Sequence, residues 1–64
     1  MYIDSLEELK QADAIECAPN GILGVFERDY DTNRWRHIDA DESCASYTDE
    51  EIFNRCGKSI KFLN

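Results

Sequence analysis

The sequence predicts an α+β domain: a small antiparallel sheet of three to four strands with two short helices, in the order α-β-β-β-α-β. Three observations lead there. Capped helix starts stand at Ser5 and Thr48, the hydrophobic period between them changes to two, and a strand-like segment closes the chain after Gly57.

Ser5-Leu6-Glu7-Glu8 has the spacing of a capping box, in which the Ser5 hydroxyl and the Glu8 carboxylate satisfy each other's orphan amides. Leu6 and Leu9 share a face, but the helical pattern fades between Gln11 and Asp13, so this helix is short. Ala14-Ile15-Glu16-Cys17 alternates as a strand, and Pro19-Asn20-Gly21 is turn chemistry. From Ile22 to Tyr30 a second strand places Ile22, Gly24, Phe26 and Tyr30 on one face, with Leu23 and Val25 on the other. Asp31-Thr32-Asn33 turns the chain, and Arg34 to Asp39 pairs back as a hairpin strand with Trp35 and Ile38.

Thr48-Asp49-Glu50-Glu51 opens the second helix with another capping box. Tyr47 and Ile52 stand at the positions of a hydrophobic staple. Three carboxylates occupy the first turn and Arg55 the last, as the helix dipole favours. Gly57 is then expected to stop helix 49–56 in a left-handed conformation. Ser59 to Leu63 reads as the last strand, with Ile60 and Phe62 toward the core.

With 64 residues the chain is one domain, residues 1–64. Its 42% hydrophobic content and single proline argue for a folded chain. A chain of this length buries only about 60% of its extended surface, so a partner or a covalent staple would add needed stability. The 14 acidic residues against 7 Lys and Arg give a net charge of -7, which excludes the basic footprint of direct nucleic-acid binding. No apolar run is long enough for a membrane span. Met1-Tyr2-Ile3-Asp4 has neither the basic nor the apolar region of a secretory signal, and three cysteines without one fit a reducing compartment. The expected location is therefore the cytoplasm.

Catalytic and metal chemistry find little support. Cys17, His37, Cys44 and Cys56 have the residue types of a zinc site, but they are widely separated and contain no close ligand pair. Asp29-x-Asp31-x-Asn33 starts like a calcium loop, yet Arg34 stands where the sharp turn needs glycine and Ala40 where a bidentate glutamate belongs. The only histidine, His37, lies in a strand between Arg36 and Ile38, a setting for a structural role. The expectation is a protein with no catalytic residue, no metal and no cofactor.

Charge distribution is more informative. Residues 1–33 carry eight acids and two bases, whereas 34–64 carry six and five. Asp39, Asp41, Glu42, Asp49, Glu50 and Glu51 fall in a window without Lys or Arg, and Glu27, Asp29 and Asp31 alternate as if projecting from one strand face. Regularly placed carboxylates can imitate the phosphate rows of DNA and steer the chain to a basic groove. The competing reading is that this charge serves solubility alone. Tyr30 and Tyr47 are the expected aromatic anchors of a contact, while Phe26 and Trp35 are assigned to the core.

A short capped helix at Ser5-Leu6-Glu7-Glu8-Leu9 precedes a hairpin bearing Trp35, a capped helix ending at Gly57 and a closing strand from Ser59 to Leu63. In this pattern and its acidity the chain resembles small early, host-takeover proteins of bacteriophages. Residues 22–64 are similar in element order to short phage inhibitors of uracil-DNA glycosylase. The resemblance implies a host protein as partner, with acidic side chains and an apolar pocket occupying its DNA site. It assigns no particular residue. The leading expectation is a non-enzymatic inhibitor or redirector of a host DNA- or RNA-processing enzyme, acting in the host cytoplasm through Glu27, Asp29, Asp31, Asp39, Asp41, Glu42, Asp49 and Glu50. The alternative is a self-associating structural or regulatory module, a homodimer built on an apolar interface.

Overall fold

A computed structural model describes residues 1–39 and 46–63. The elements follow the expected order: α1 (Leu6–Gln11), β1 (Ala14–Cys17), β2 (Gly24–Asp29), β3 (Arg34–His37), α2 (Asp49–Cys56), a 3-10 turn (Gly57–Ser59) and β4 (Lys61–Phe62). The four strands form one antiparallel sheet in the order β3-β2-β1-β4, so the chain is α+β as its sequence predicts.

Register explains which side chains meet. Ile15 lies opposite Phe26 on one side and Phe62 on the other, Cys17 opposite Gly24, and Arg28 opposite Trp35. This common face packs with Leu9, Ala12 and Ile52 from the helical layer and with Ile3 and Ile60 into the core. Its largest member, Trp35, is fully buried. Both sheet edges are partly covered. Outside β4, the Ile3 N–H donates to the Ile60 carbonyl at 2.8 Å and the Phe62 N–H to the Met1 carbonyl at 2.8 Å. Beside β3, Trp35 and Tyr47 exchange two backbone hydrogen bonds of 2.6 and 3.0 Å. Such cover removes edge groups that would otherwise template pairing with another chain.

β2, β3 and β4 are shorter than the sequence expectation, and Gly57 differs in conformation. β2 begins at Gly24, because Asn20 Oδ1 accepts the Ile22 N–H at 3.2 Å and holds Ile22 and Leu23 in the exposed turn. β3 stops at His37; the Ile38 N–H still donates to the Val25 carbonyl at 3.0 Å, but Ile38 is exposed on the face opposite Trp35. β4 is only two residues long, since Gly57–Ser59 forms a 3-10 turn. Gly57 has φ 54° and ψ -122°, a glycine conformation other than the expected left-handed helical one, and its N–H donates to the Phe53 carbonyl.

The two helix starts are not equal. At α2 the box is complete: Thr48 Oγ1 accepts the Glu51 N–H at 3.1 Å and Glu51 Oε1 accepts the Thr48 N–H at 2.8 Å. At α1 Ser5 Oγ accepts the Glu8 N–H at 3.2 Å, but the Glu8 carboxylate reaches Asp4 N–H at 3.3 Å in place of Ser5. The Thr48 N–H bond, followed by the Thr48 hydroxyl and the nearby Arg34 and Arg55, holds the Glu51 carboxyl below its ordinary value.

Thr48→Ala should therefore destabilise the fold by about 1 kcal/mol in urea denaturation at neutral pH. A depressed carboxyl contributes stability above its unfolded pKa, and that contribution disappears as pH falls through the folded value. Comparing native protein with Glu51→Ala should thus give a stability difference at pH 7 that shrinks below the ordinary glutamate value of 4.5.

Candidate binding surface

A buried arginine positions this surface. Alternation along β2 puts Arg28 on the core face with Gly24 and Phe26, and it is 9% exposed. Its guanidinium uses all its donors. Nε donates to the Ala12 carbonyl at 3.1 Å; one terminal nitrogen donates to Leu9 O at 2.8 Å and Asp49 Oδ1 at 3.1 Å; the other donates to Asn33 Oδ1 at 3.2 Å and Asp49 Oδ2 at 3.3 Å. Asp49 Oδ1 also accepts the Trp35 indole N–H at 2.8 Å, and the guanidinium lies 4.5 Å from the Trp35 ring centroid. Arg28 thus caps the carboxyl end of α1, grips the first residue of α2 and fixes the β2–β3 turn.

That turn carries the acidic and aromatic groups. Asn33 has φ 59°, in the left-handed region that asparagine tolerates, and its N–H donates to the Asp29 carbonyl at 2.6 Å. Tyr30 is 70% exposed, and its hydroxyl donates to Asp13 Oδ1. Asp13 is brought alongside by its carbonyl, which accepts the Arg28 N–H at 3.1 Å. Asp29 Oδ1 accepts the Asp31 N–H at 2.9 Å, and its Oδ2 lies 3.8 Å from Arg36. Glu27 stands directly opposite Arg36 in the β2–β3 register. A shallow depression of about 360 Å³ is lined by Glu27, Arg28, Asp29, Asp31, Arg36, His37 and Ile38. Its lining mixes three carboxylates with two guanidinium groups, an imidazole and the aliphatic side chain of Ile38.

The structure revises several site expectations. Asp31 lies past the end of β2, so Glu27, Asp29 and Asp31 do not form one strand row. Asp49 is 6% exposed and is bonded to Arg28 and Trp35, so it faces inward and not toward a partner. Tyr47 is half-buried: it packs edge-on against Phe26, lies under Arg55 and pairs through its backbone with Trp35. It is a structural residue, and of Tyr30 and Tyr47 only Tyr30 is exposed. Glu50 is exposed, 3.9 Å from Lys10, and Asp39 is exposed while its N–H donates to His37 Nδ1 at 3.1 Å. Asp41 and Glu42 lie outside the described residues, as does Cys44.

Sequence reasoning missed Arg28, Asp13 and Arg36. The signal for Arg28 was present, since residues 24, 26 and 28 share strand parity. For Asp13 there was none, because its role depends on a turn's position in space.

The remaining reactive groups are engaged. His37 packs edge-on against Phe26 with ring centroids 5.2 Å apart. Cys17 is fully buried; burial, reinforced by the neighbouring Cys56 thiol, pushes its thiol far above the ordinary value. Among the described residues no three His, Cys, Asp or Glu side chains converge as a metal site. No helix among them is long and apolar enough to cross a membrane. No family model, curated protein or solved structure matches the chain.

Gly24 has a specific role beside this surface, since a Cβ there would collide with the His37 imidazole. Gly24→Ala should displace that ring from Phe26, lower stability by about 1–3 kcal/mol and shift the His37 ring resonances in an NMR spectrum.

Proposed function

We propose that the chain is a small acidic binding protein, without catalysis, that occupies a basic groove on a protein partner. The favoured partner is a host DNA- or RNA-processing enzyme, and the chain would be phage-encoded and act in the host cytoplasm. One observation supports this reading: the β2–β3 hairpin end brings Glu27, Asp29 and Asp31 to one depression, and the same segment carries the exposed Tyr30, whose hydroxyl is held by Asp13. Every arginine is engaged within the chain: Arg28, Arg34 and Arg36 by carboxylates, and Arg55 by the Tyr47 ring and the Pro19 carbonyl. Glu27, Asp13 and Asp31 have no ion-pair partner among the described residues. Contact would pair these carboxylates with a cationic groove, with Tyr30 as the aromatic anchor.

A second reading, self-association, draws on the open face of the sheet. The register aligns Tyr2, Lys61, Glu16 and Val25 across it, and the Ile38 N–H bond to the Val25 carbonyl continues that row. Tyr2, Ile38 and Leu63 are exposed there. This interface would make melting temperature rise with protein concentration.

The test captures partners of the tagged protein from a bacterial lysate over a salt series, beside a variant with Glu27→Lys, Asp29→Lys and Asp31→Lys. Retention of one nucleic-acid enzyme by the native chain, its release at moderate salt and its loss in the variant are expected. Equal retention by both proteins, or recovery of the chain alone, would overturn the acidic-groove reading.

A further inference from the structure

The core contains a pair of thiols distant in sequence. Cys17 is the last residue of β1 and Cys56 the last of α2. Cys17 is fully buried on the core face of the sheet, and Cys56 packs against the same core from a half-exposed position. Cys56 is a near neighbour of Cys17, close enough for its thiol to oppose ionisation of the buried one. A separate contact places the last turn of α2 over this end of the sheet: the Arg55 guanidinium donates to the carbonyl of Pro19, two residues beyond Cys17. We propose that Cys17 and Cys56 form a reversible disulfide that locks α2 to β1 under oxidising conditions. The bond would cross-link the chain from its first strand to the end of its second helix.

The half-exposed partner begins the reaction. Cys56 loses its proton to solvent, and its thiolate attacks one sulfur of a disulfide oxidant such as oxidised glutathione, expelling one glutathione thiolate. Cys17 then loses its proton and attacks the Cys56 sulfur, expelling the second glutathione thiolate. The released protons neutralise the two glutathione thiolates. Two protein thiols are oxidised and one glutathione disulfide is reduced to two thiols. Burial of Cys17 makes the second step slow and coupled to local opening of the α2 end, because the thiolate is the attacking species. Once formed, the bond restricts the unfolded chain over a long loop.

The experiment uses the full chain carrying Cys44→Ser, which leaves only this pair, equilibrated in glutathione buffers of increasing oxidised fraction. Intact-mass and peptide analysis should find loss of two hydrogens and a peptide joining Cys17 to Cys56. The melting temperature should rise by more than about 10 °C and return on reduction. Cys17→Ser in the same background should stop at the mixed glutathione adduct on Cys56 and show no rise. Persistence of both thiols in the folded Cys44→Ser protein, or a bond that lowers the melting temperature, would overturn the proposal. A folded Cys44→Ser protein that accumulates only glutathione adducts would do so as well.

Discussion

The buried pair between Arg28 and Asp49 is the interaction on which the rest of this small structure depends. Taking two such charges out of water carries a penalty of several kcal/mol per ion, and only close geometry with satisfied hydrogen bonds offsets it. Here the offset is complete on the arginine side, and no buried side-chain nitrogen or oxygen among the described residues lacks a partner. The carbonyls of Leu9 and of the cap residue Ala12 that receive Arg28 lie at the carboxyl end of α1, where carbonyls outnumber the intrahelical donors. Asp49 sits at the first position of α2, where the helix dipole favours a negative charge. One guanidinium therefore joins three elements that an apolar contact would hold without fixing their orientation.

This constraint also shapes the surface. Arg28 holds Asn33, and Asn33 closes the β2–β3 turn that displays Tyr30 and Asp31. The Arg28 backbone N–H holds the carbonyl of Asp13, whose side chain then receives the Tyr30 hydroxyl. The exposed Tyr30 is thus linked through two contacts to the buried pair. Neutralisation inside leaves the net charge of -7 to be expressed outside. The open sheet face nevertheless carries Arg36 and Lys61 among its acids.

Much of the fold was legible because local and global signals agree. Thr48 and Glu51 are read from spacing and found in a complete capping box, and the Ile15 and Cys17 alternation matches the buried face. The ends of strands were less legible. Ile22 and Leu23 have strand composition, but the Asn20 side chain holds the backbone in a turn. The site was legible only in part. Runs of acidic residues identify Asp49 and Glu50 alike, yet one meets a buried guanidinium across the fold and the other meets solvent and Lys10. Tyr30 and Tyr47 have the same chemistry and opposite fates for a similar reason: pairing with Trp35 is a tertiary fact that spacing does not encode.

A double-mutant cycle on Arg28→Met and Asp49→Leu, measured by urea denaturation, tests the central claim most directly. Each single change leaves an uncompensated buried charge and should destabilise the chain by about 3–5 kcal/mol, enough to unfold a marginal domain. The double variant should be destabilised by much less than the sum of the two, and should regain folding that either single variant loses. Two single changes that each cost under about 1 kcal/mol and add independently would contradict the account and leave the apolar core as the feature that organises this fold.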